Sequence, residues 1–426
     1  MIDTTRRSLT QFIGLAAAGS VLGCASEILP KNGRRVVVVG AGFGGMTAAK
    51  QIRRLDPSIE VLLVDQNRRY VANPFSNEVI VGRRDIKTLS IDEADLGTAH
   101  GLHRLQALVT AIEPDRRLIV TPQGRLSYDV LILATGIDFL AAPIDGYDPL
   151  ATPLVFPHAW QAGEQTLLLQ RQVAAMADGG VILVSIPLAP YRCPGGPYER
   201  ICLLAEYIQR HKPRSKLVVL DANPGIVAFP DQISRIWRDR YARQIDYLPG
   251  ARVVGLHAPS HTLVTADGSA HRGDVINLIP PQGTSPMARQ AGLTDEGEAW
   301  CAINSRMASV RHPDIFVLGD AAKVGDMPKT AYGANAQGKL CALNVVARLN
   351  EWNPGDFPLL NVCYAAIGTD EAISLSQVYR SDRGHPFQAV PGAHSISPED
   401  ASMAHREYAN AEAWLKNMLA EFVARA

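Results

Sequence analysis

The run from Arg34 to Lys50 constrains the fold more than any other stretch of the chain. Val36 to Val39 read as a buried strand, Gly40, Gly42 and Gly45 follow as G-x-G-x-x-G, and Met46 onward begins a helix. Strand, glycine turn and helix in that order open a parallel α/β sheet that holds a dinucleotide. Gly40 allows the tight turn, Gly42 lets the backbone approach a pyrophosphate, and Gly45 lets the helix pack close to the strand. A second apolar strand, Glu60 to Asp65, ends in a carboxylate about 20 positions past the glycines, placed to accept hydrogen bonds from an adenosine ribose.

At 426 residues the chain is long enough for two or three domains. A hydrophobic content of 47%, a charged content of 20% and a formal net charge of zero describe an ordinary globular protein. That balance points to neither nucleic acid nor an anionic membrane as a partner. The histidines show no ligand spacing such as H-E-x-x-H, so no metal is expected.

Tyr128 to Gly136 is another buried strand, ending in the small turn Ala134-Thr135-Gly136. Strands at 181–186 and 216–221 and a helix over 197–211 make a second α/β unit, with Gly273 to Pro280 as the return crossing. Ile315 to Ala322 is a strand ending in Gly319-Asp320, and 328–339 leads into a long helix. Beyond about 350 the texture changes to short segments with scattered Pro and Gly, closed by an amphipathic helix near 408–425 that packs on the body. The expected fold is α/β: two Rossmann-like dinucleotide-binding domains, the second inserted in the first, plus a C-terminal α+β domain. The boundaries read as a leader over 1–30, the first domain over 31–157 and 276–348, the inserted domain over 158–275, and the C-terminal domain over 349–426.

The inserted unit lacks a nicotinamide fingerprint. Where its glycine loop belongs, the chain has Cys193-Pro194-Gly195-Gly196-Pro197-Tyr198-Glu199, with Pro190 just before. Pro197 suits the first position of a helix. The helix dipole and orphan N–H groups are then expected to stabilise a Cys193 thiolate and lower its pKa, with Arg192 adding to the effect. Of six cysteines, Cys24 falls in the leader, which leaves an odd number in the body and argues against a disulfide-stapled scaffold. Cys202, Cys301 and Cys341 read as packing. Cys193 and Cys363 are open to redox or purely structural roles, and Glu199 to catalysis, to capping its helix or to pairing with Arg200.

The leader itself is informative. Thr5-Arg6-Arg7-Ser8-Leu9 precedes the apolar segment Phe12 to Leu22 and then Gly23-Cys24-Ala25. A basic start, a short apolar core and small residues make a secretory signal, and the paired arginines point to the twin-arginine route and a periplasmic destination. The segment falls short of the roughly 20 apolar residues that a spanning helix needs, and no later run is long and apolar enough to cross a bilayer. Val21-Leu22-Gly23-Cys24 also resembles a lipoprotein cleavage box, which makes Cys24 a candidate lipid anchor.

Taken together, Gly40, Gly42, Gly45, Asp65, Ala134-Thr135-Gly136 and Gly319-Asp320 resemble the FAD landmarks of the two-dinucleotide-binding-domain, disulfide-reductase-like flavoproteins. Within that superfamily the chain resembles the flavoprotein subunit of flavocytochrome c sulfide dehydrogenase. The resemblance is carried by Ser76-Asn77-Glu78-Val79-Ile80, Ala189 to Arg200, Pro328-Lys329, Ala334 to Lys339 and Cys363-Tyr364, and extends from about residue 33 to the last helix.

The resemblance implies FAD on the first domain, with Asn73, Thr135, Gly136, Gly319 and Asp320 among its contacts and Lys329 near the flavin, countering negative charge on the reduced ring. It pairs Cys193 with Cys363 as a redox disulfide that HS⁻ attacks; Glu199, six residues after Cys193, is the candidate proton acceptor. Electrons then pass through FAD to a cytochrome c. No C-x-x-C-H occurs, so the haem belongs to a separate chain. In several members a cysteine shortly before the Ser-Asn-Glu motif binds the flavin covalently; Tyr70 to Ser76 has none, so the FAD is expected to be non-covalent. The alternatives are a sulfide:quinone oxidoreductase, or an accessory thiol-disulfide protein of a sulfur-oxidation system.

Overall fold

The computed structural model describes residues 27–92, 101–140, 144–382, 385–398 and 400–423; the paired arginines and Cys24 lie outside the described residues. In chain order the first unit supplies β1 (Arg35–Val39), α1 (Phe43–Leu55), β2 (Glu60–Asp65), the short α2 (Ser76–Ile80), β3 (His103–Gln106) and β4 (Val130–Leu133). The second supplies α3 (Glu164–Ala175), β5 (Val181–Ile186), α4 (Gly196–His211), β6 (Lys216–Asp221), α5 (Pro230–Arg240), β7 (Ile245–Pro249) and β8 (Val275–Leu278). The chain then returns through β9 (Ile315–Val317) and α6 (Ala331–Leu349), and ends in β10 (Leu359–Gly368), β11 (Glu371–Asp382), β12 (His385–Ile396) and α7 (Ala401–Ala420).

Continuous apolar runs become strands covered on both faces, which is the pattern of parallel sheets. The first sheet is parallel in the order β9-β4-β1-β2-β3, and the second is parallel in the order β7-β6-β5-β8. Strand β9 thus returns to the first sheet after the inserted unit, as expected. The expected boundary at 275 is corrected: Val275–Leu278 pairs with β5, so the second unit runs past Leu278. The segment Gly273 to Pro280, read as the return crossing, holds the last strand of the second unit's own sheet.

Helix α1 lies against α6 at close range. A Cβ at Gly338 would sit 2.6 Å from the Gly44 carbonyl oxygen, and Asn335 Nδ2 donates to Thr47 Oγ1 at 2.8 Å. The C-terminal part is an antiparallel meander, β10-β11-β12, with α7 laid on it. Its strands are long, not the short segments expected: Pro386, Pro391 and Gly392 fall in β12, an edge strand, where a missing N–H breaks no ladder bond. The last helix also starts earlier than expected, at Ala401, because Asp400 caps it by accepting from Ser402 N at 2.7 Å and Met403 N at 3.2 Å. Strand β10 packs against both α4 and α6, and this places Cys363 beside the loop that carries Cys193.

Candidate active site

One cavity collects most of the residues that the sequence singled out. Gly40, Gly42, Asp65, Asn73, Thr135, Gly136, Gly319, Asp320, Cys193, Glu199 and Cys363 all line it; Gly45 and Lys329 do not. At its first-sheet end the glycine turn is forced by contact. Gly40 has φ +103°, and a Cβ there would sit 2.4 Å from the Ala134 carbonyl oxygen. A Cβ at Gly45 would meet the Gly40 oxygen at 1.9 Å, so Gly45 works from beneath the turn. Gly42 opens on the cavity, where an added Cβ would meet nothing nearer than Tyr70 at 3.9 Å. Asp65 braces the turn by accepting from Ala41 N and Asn67 N, each at 2.7 Å.

The surroundings fit FAD. Thr135 Oγ1 and Asp320 Oδ1 are buried polar atoms with no protein partner, and both residues face the cavity. Burial raises the Asp320 carboxyl above its ordinary range, with Arg192 and Lys329 opposing. Buried groups of this kind need hydrogen bonds, and the hydroxyls of a bound FAD would supply them. Asn73 accepts from Ala162 N through Oδ1 at 2.8 Å and keeps its amide nitrogen for other contacts.

At the other end the cysteine loop is held in one shape. Cys193 adopts a left-handed backbone with φ +56°, its N–H donates to the Lys329 carbonyl at 2.7 Å, and its carbonyl accepts from Gly196 N at 2.9 Å. A Cβ at Gly196 would lie 2.9 Å from Cys193 Sγ and 3.0 Å from the Trp160 ring, so a larger residue there would push one of them aside. The neighbouring Thr330 bonds through Oγ1 to Asn361 Oδ1, and Asn361 Nδ2 donates to Cys363 Sγ at 3.2 Å. Two consecutive residues, Lys329 and Thr330, therefore position both cysteines, one by backbone and one by side chain. Both are free thiols: Cys193 is exposed to the cavity and Cys363 is half-buried.

A low-pKa Cys193 is corrected by the structure. Burial pushes its thiol up to about 12, and the nearby charges of Glu199 and Cys363 add to the rise; Arg192 and the Gly196 N–H oppose it. The helix that follows starts with Gly196 and Pro197, and its dipole does not overcome the protein walls around the sulfur. Burial raises Cys363 to about 11, with the Asn361 amide pulling the other way. A base is therefore needed close by, and Glu199 is placed to serve. Its Oε1 accepts from Asn77 Nδ2 at 2.6 Å and its Oε2 from Ala366 N at 3.2 Å, while burial raises its carboxyl to about 7. Its carboxylate makes no bond to Arg200, whose guanidinium goes to Asn77 Oδ1, Asn277 Oδ1 and the carbonyls of His158 and Ala159.

The position expected for Lys329 is also corrected. Its ammonium donates to the carbonyls of Asp320 at 2.9 Å and Ala322 at 2.6 Å and sits 3.8 Å from the centre of the Trp300 ring. Burial lowers its pKa to about 8. Its side chain ties the Gly319-Asp320 turn to the cysteine loop from behind. Arg192 lines the cavity instead, within electrostatic reach of Asp320, Tyr70 and Cys193.

Several lining residues carried no sequence signal. Trp160, Tyr332, Tyr408 and Trp414 come from three separate segments, the last two sharing α7, with Trp414 set between Tyr332 and Tyr364 at ring distances of 6.3 and 6.2 Å. Isolated aromatics in helices and loops read as core, and only the fold turns them toward a common space.

Comparison with known proteins agrees with this geometry. Residues 166–280 match the family described as sulfide dehydrogenase [flavocytochrome c] flavoprotein chain, central; residues 356–422 match flavocytochrome c sulphide dehydrogenase, flavin-binding; and residues 34–175 match pyridine nucleotide-disulphide oxidoreductase. The mitochondrial sulfide:quinone oxidoreductase of Dictyostelium discoideum is 22% identical over 335 residues, 74% of this chain and 71% of that protein. The sulfide-quinone reductase of Aquifex aeolicus is 22% identical over 362 residues, 79% of this chain and 82% of that protein. The crystal structure of the Aquifex aeolicus sulfide:quinone oxidoreductase superposes with a TM-score of 0.70 at 18% identity, covering 92% of this chain and 93% of that one, and shares its fold.

Proposed function

The chain belongs to the flavocytochrome c sulfide dehydrogenase flavoprotein family, an FAD-dependent group acting on sulfide, and on that premise we propose that it is a periplasmic sulfide dehydrogenase that passes electrons from sulfide to a cytochrome c on a separate chain. The observation that carries this reading is the convergence of Cys193, Cys363 and Glu199 in the cavity that holds the FAD landmarks. Gly42, Thr135, Gly136 and Asp320 would hold the cofactor; among the described residues no cysteine besides Cys193 and Cys363 lines the cavity, in keeping with non-covalent binding.

Cys193 and Cys363 cycle between disulfide and thiol. The sulfur of HS⁻ bonds to the cavity-facing Cys193 Sγ as the S–S bond breaks, leaving a Cys193 persulfide and a Cys363 thiolate. The Asn361 amide stabilises the charge that forms on Cys363 as it leaves. Glu199 accepts the persulfide proton. The terminal sulfur departs at the oxidation level of elemental sulfur and leaves its bonding pair on Cys193, so that two thiolates remain; the Cys193–Cys363 bond re-forms as these two thiolates give up two electrons. Bound FAD supplies the acceptor for the electron pair.

Two sequence features support the periplasmic address, the paired arginines and the short apolar leader; Cys24 is the residue that would carry a lipid there. Among the described residues no helix is long and apolar enough to cross a membrane. The names of the relatives favour a second reading for the acceptor, a quinone, with the apolar wall around Trp414, Tyr364 and Ala366 as its seat.

Anaerobic titration of the holoprotein decides among these. Bleaching of the flavin by sulfide and reoxidation by cytochrome c supports the dehydrogenase. Reoxidation by a short-chain quinone alone replaces it with the second reading, and absence of bleaching leaves a thiol-disulfide accessory protein. Retention of the yellow colour on acid-precipitated protein would contradict non-covalent binding.

A further inference from the structure

We propose that the proton taken up by Glu199 leaves through Glu78 and Tyr408 into a second, charged cleft, instead of returning past the substrate; this rests on the sulfide reading above. The second cleft is lined by Glu78, Arg83, Arg84, Asp85, Thr88, Asp370, Tyr408 and Glu412, and it shares Glu78 and Tyr408 with the active-site cavity. These two side chains form the wall between the spaces.

The groups run from buried to exposed. Glu199 faces the cavity and is held by Asn77, the residue before Glu78, and the charge of Glu78 is felt at Glu199. Glu78 is 2% exposed; its Oε2 accepts from Arg84 Nε at 2.8 Å and its Oε1 from the Tyr408 hydroxyl at 2.7 Å. That hydroxyl also lies 3.3 Å from Glu412 Oε1, and the Glu412 side chain is 38% exposed in the outer cleft. Arg84 on one oxygen and Arg83, 3.8 Å from the other, already neutralise Glu78. A hydroxyl set between a buried and an exposed carboxylate does something more: rotation of its O–H lets a proton arriving at Glu78 be matched by one leaving at Glu412. Solvent in the cavity carries the proton between Glu199 and Glu78.

The balance requires such an exit. Oxidation of HS⁻ to the level of elemental sulfur yields two electrons and one proton, and over a whole turnover, with electrons passed on singly, that proton is released; when it has been taken up by Glu199, the carboxyl must lose it before the next turnover. Cys193, Cys363 and the incoming anion share the cavity with Glu199, so a separate outlet keeps proton release from competing with HS⁻ arrival.

Tyr408→Phe keeps the ring that packs edge-on against Phe75 and removes only the hydroxyl, while Glu78→Gln removes the buried carboxylate. In stopped flow with a pH-indicator dye, steady sulfide turnover and proton release should both slow by about tenfold or more in either variant. FAD content of Tyr408→Phe should stay at the wild-type value, its melting midpoint should fall only by the loss of one buried hydrogen bond, and added imidazole, a small diffusible base, should restore its rate. Wild-type proton release in both variants overturns the route, and so does a slow variant that imidazole does not rescue. If sulfide fails to bleach even the wild-type flavin, the sulfide reading falls and the route with it; if the wild type bleaches and the variants match it, the route alone falls.

Discussion

The two parallel sheets carry the same strand–loop–helix unit and use it in opposite ways. After β1 the loop is glycine, with Gly40 at φ +103° beneath Ala134 and the start of α1 open to the cavity. After β5 the equivalent loop holds Pro187, Pro190, Cys193 and Pro194, and α4 begins with Pro197 in its first turn. Prolines have no N–H to offer a phosphate, so this loop cannot make the donor cradle of the first. The acids that end the second strands differ in the same sense. Asp65 lies at the cavity; Asp221 is fully buried, its Oδ2 accepting from the hydroxyls of Tyr198 at 2.8 Å and Tyr247 at 2.9 Å, and its Oδ1 from Asn223 N at 2.9 Å. Both acids brace their own backbone, but one does so at the wall of the cavity and the other inside its own core. The scaffold is shared, and which groups are left without partners decides what each half can bind.

The largest test of that division is Cys193→Ser. It should keep FAD bound, since the first-sheet landmarks are untouched, and lower sulfide-dependent bleaching by about a thousandfold or more, because serine cannot form the disulfide. Bleaching at the wild-type rate would remove the cysteine loop from the chemistry. Next comes Gly40→Ala. A left-handed backbone combined with a 2.4 Å contact on a carbonyl oxygen should cost about 3 kcal/mol and empty the site of FAD, read as the ratio of flavin to protein after purification. A full flavin complement would show that the turn has room that the geometry denies it.

Glu199→Gln should lower turnover about a hundredfold, within the usual span for losing a general base. Its pH dependence gives the sharper reading. Burial raises the carboxyl from its ordinary 4.5 to about 7, so the proton-accepting carboxylate forms as pH rises through about 7, and wild-type bleaching should rise there. The glutamine variant should lack that rise, and since both proteins meet the same sulfide speciation, the difference between them isolates the carboxyl. The linkage has a matching sign. Between about 4.5 and 7 the folded state binds the proton more tightly than the unfolded chain, so Glu199 withdraws stability as pH rises through that window. Glu199→Gln should therefore melt higher relative to wild type at pH 8 than at pH 4; a gap that shrinks with pH would contradict the raised pKa.

Much of the scaffold was legible because it is written in local patterns. The strand at 60–65, the strands at 181–186 and 216–221 and the helix that follows the cysteine loop stand where apolar runs and Pro197 place them. The flavin landmarks are turns, whose chemistry is set by adjacent residues. The nearness of Cys363 to Cys193 was not legible in the same way: more than 150 residues separate them, and only the packing of β10 on α4 and α6 brings them to one space. The sign of the Cys193 shift was misread for a related reason, since a helix start is a local feature and burial is a property of everything that folds around it. Lys329 shows the same limit. A lysine next to a flavin motif reads as a cofactor contact, yet the carbonyls of Asp320 and Ala322 and the ring of Trp300 hold it on the other side of the turn.

The smallest effect separates the two acids directly. Asp221→Ala should leave FAD and sulfide bleaching near wild type, because the cavity lining does not include it. It strips the acceptor from two tyrosine hydroxyls, one of them on the fully buried Tyr198, and each hydroxyl left without a partner costs about 1–3 kcal/mol. The urea midpoint should fall accordingly, and NADH should still fail to reduce the flavin, since removing the carboxylate restores neither a glycine loop nor its N–H donors. Asp65→Ala should do the reverse: its loss releases Ala41 N and Asn67 N at the turn and lowers FAD occupancy before it lowers the midpoint. Equal losses of flavin in both variants would mean that the second sheet takes part in holding the cofactor, and the division of labour between the two halves would have to be redrawn.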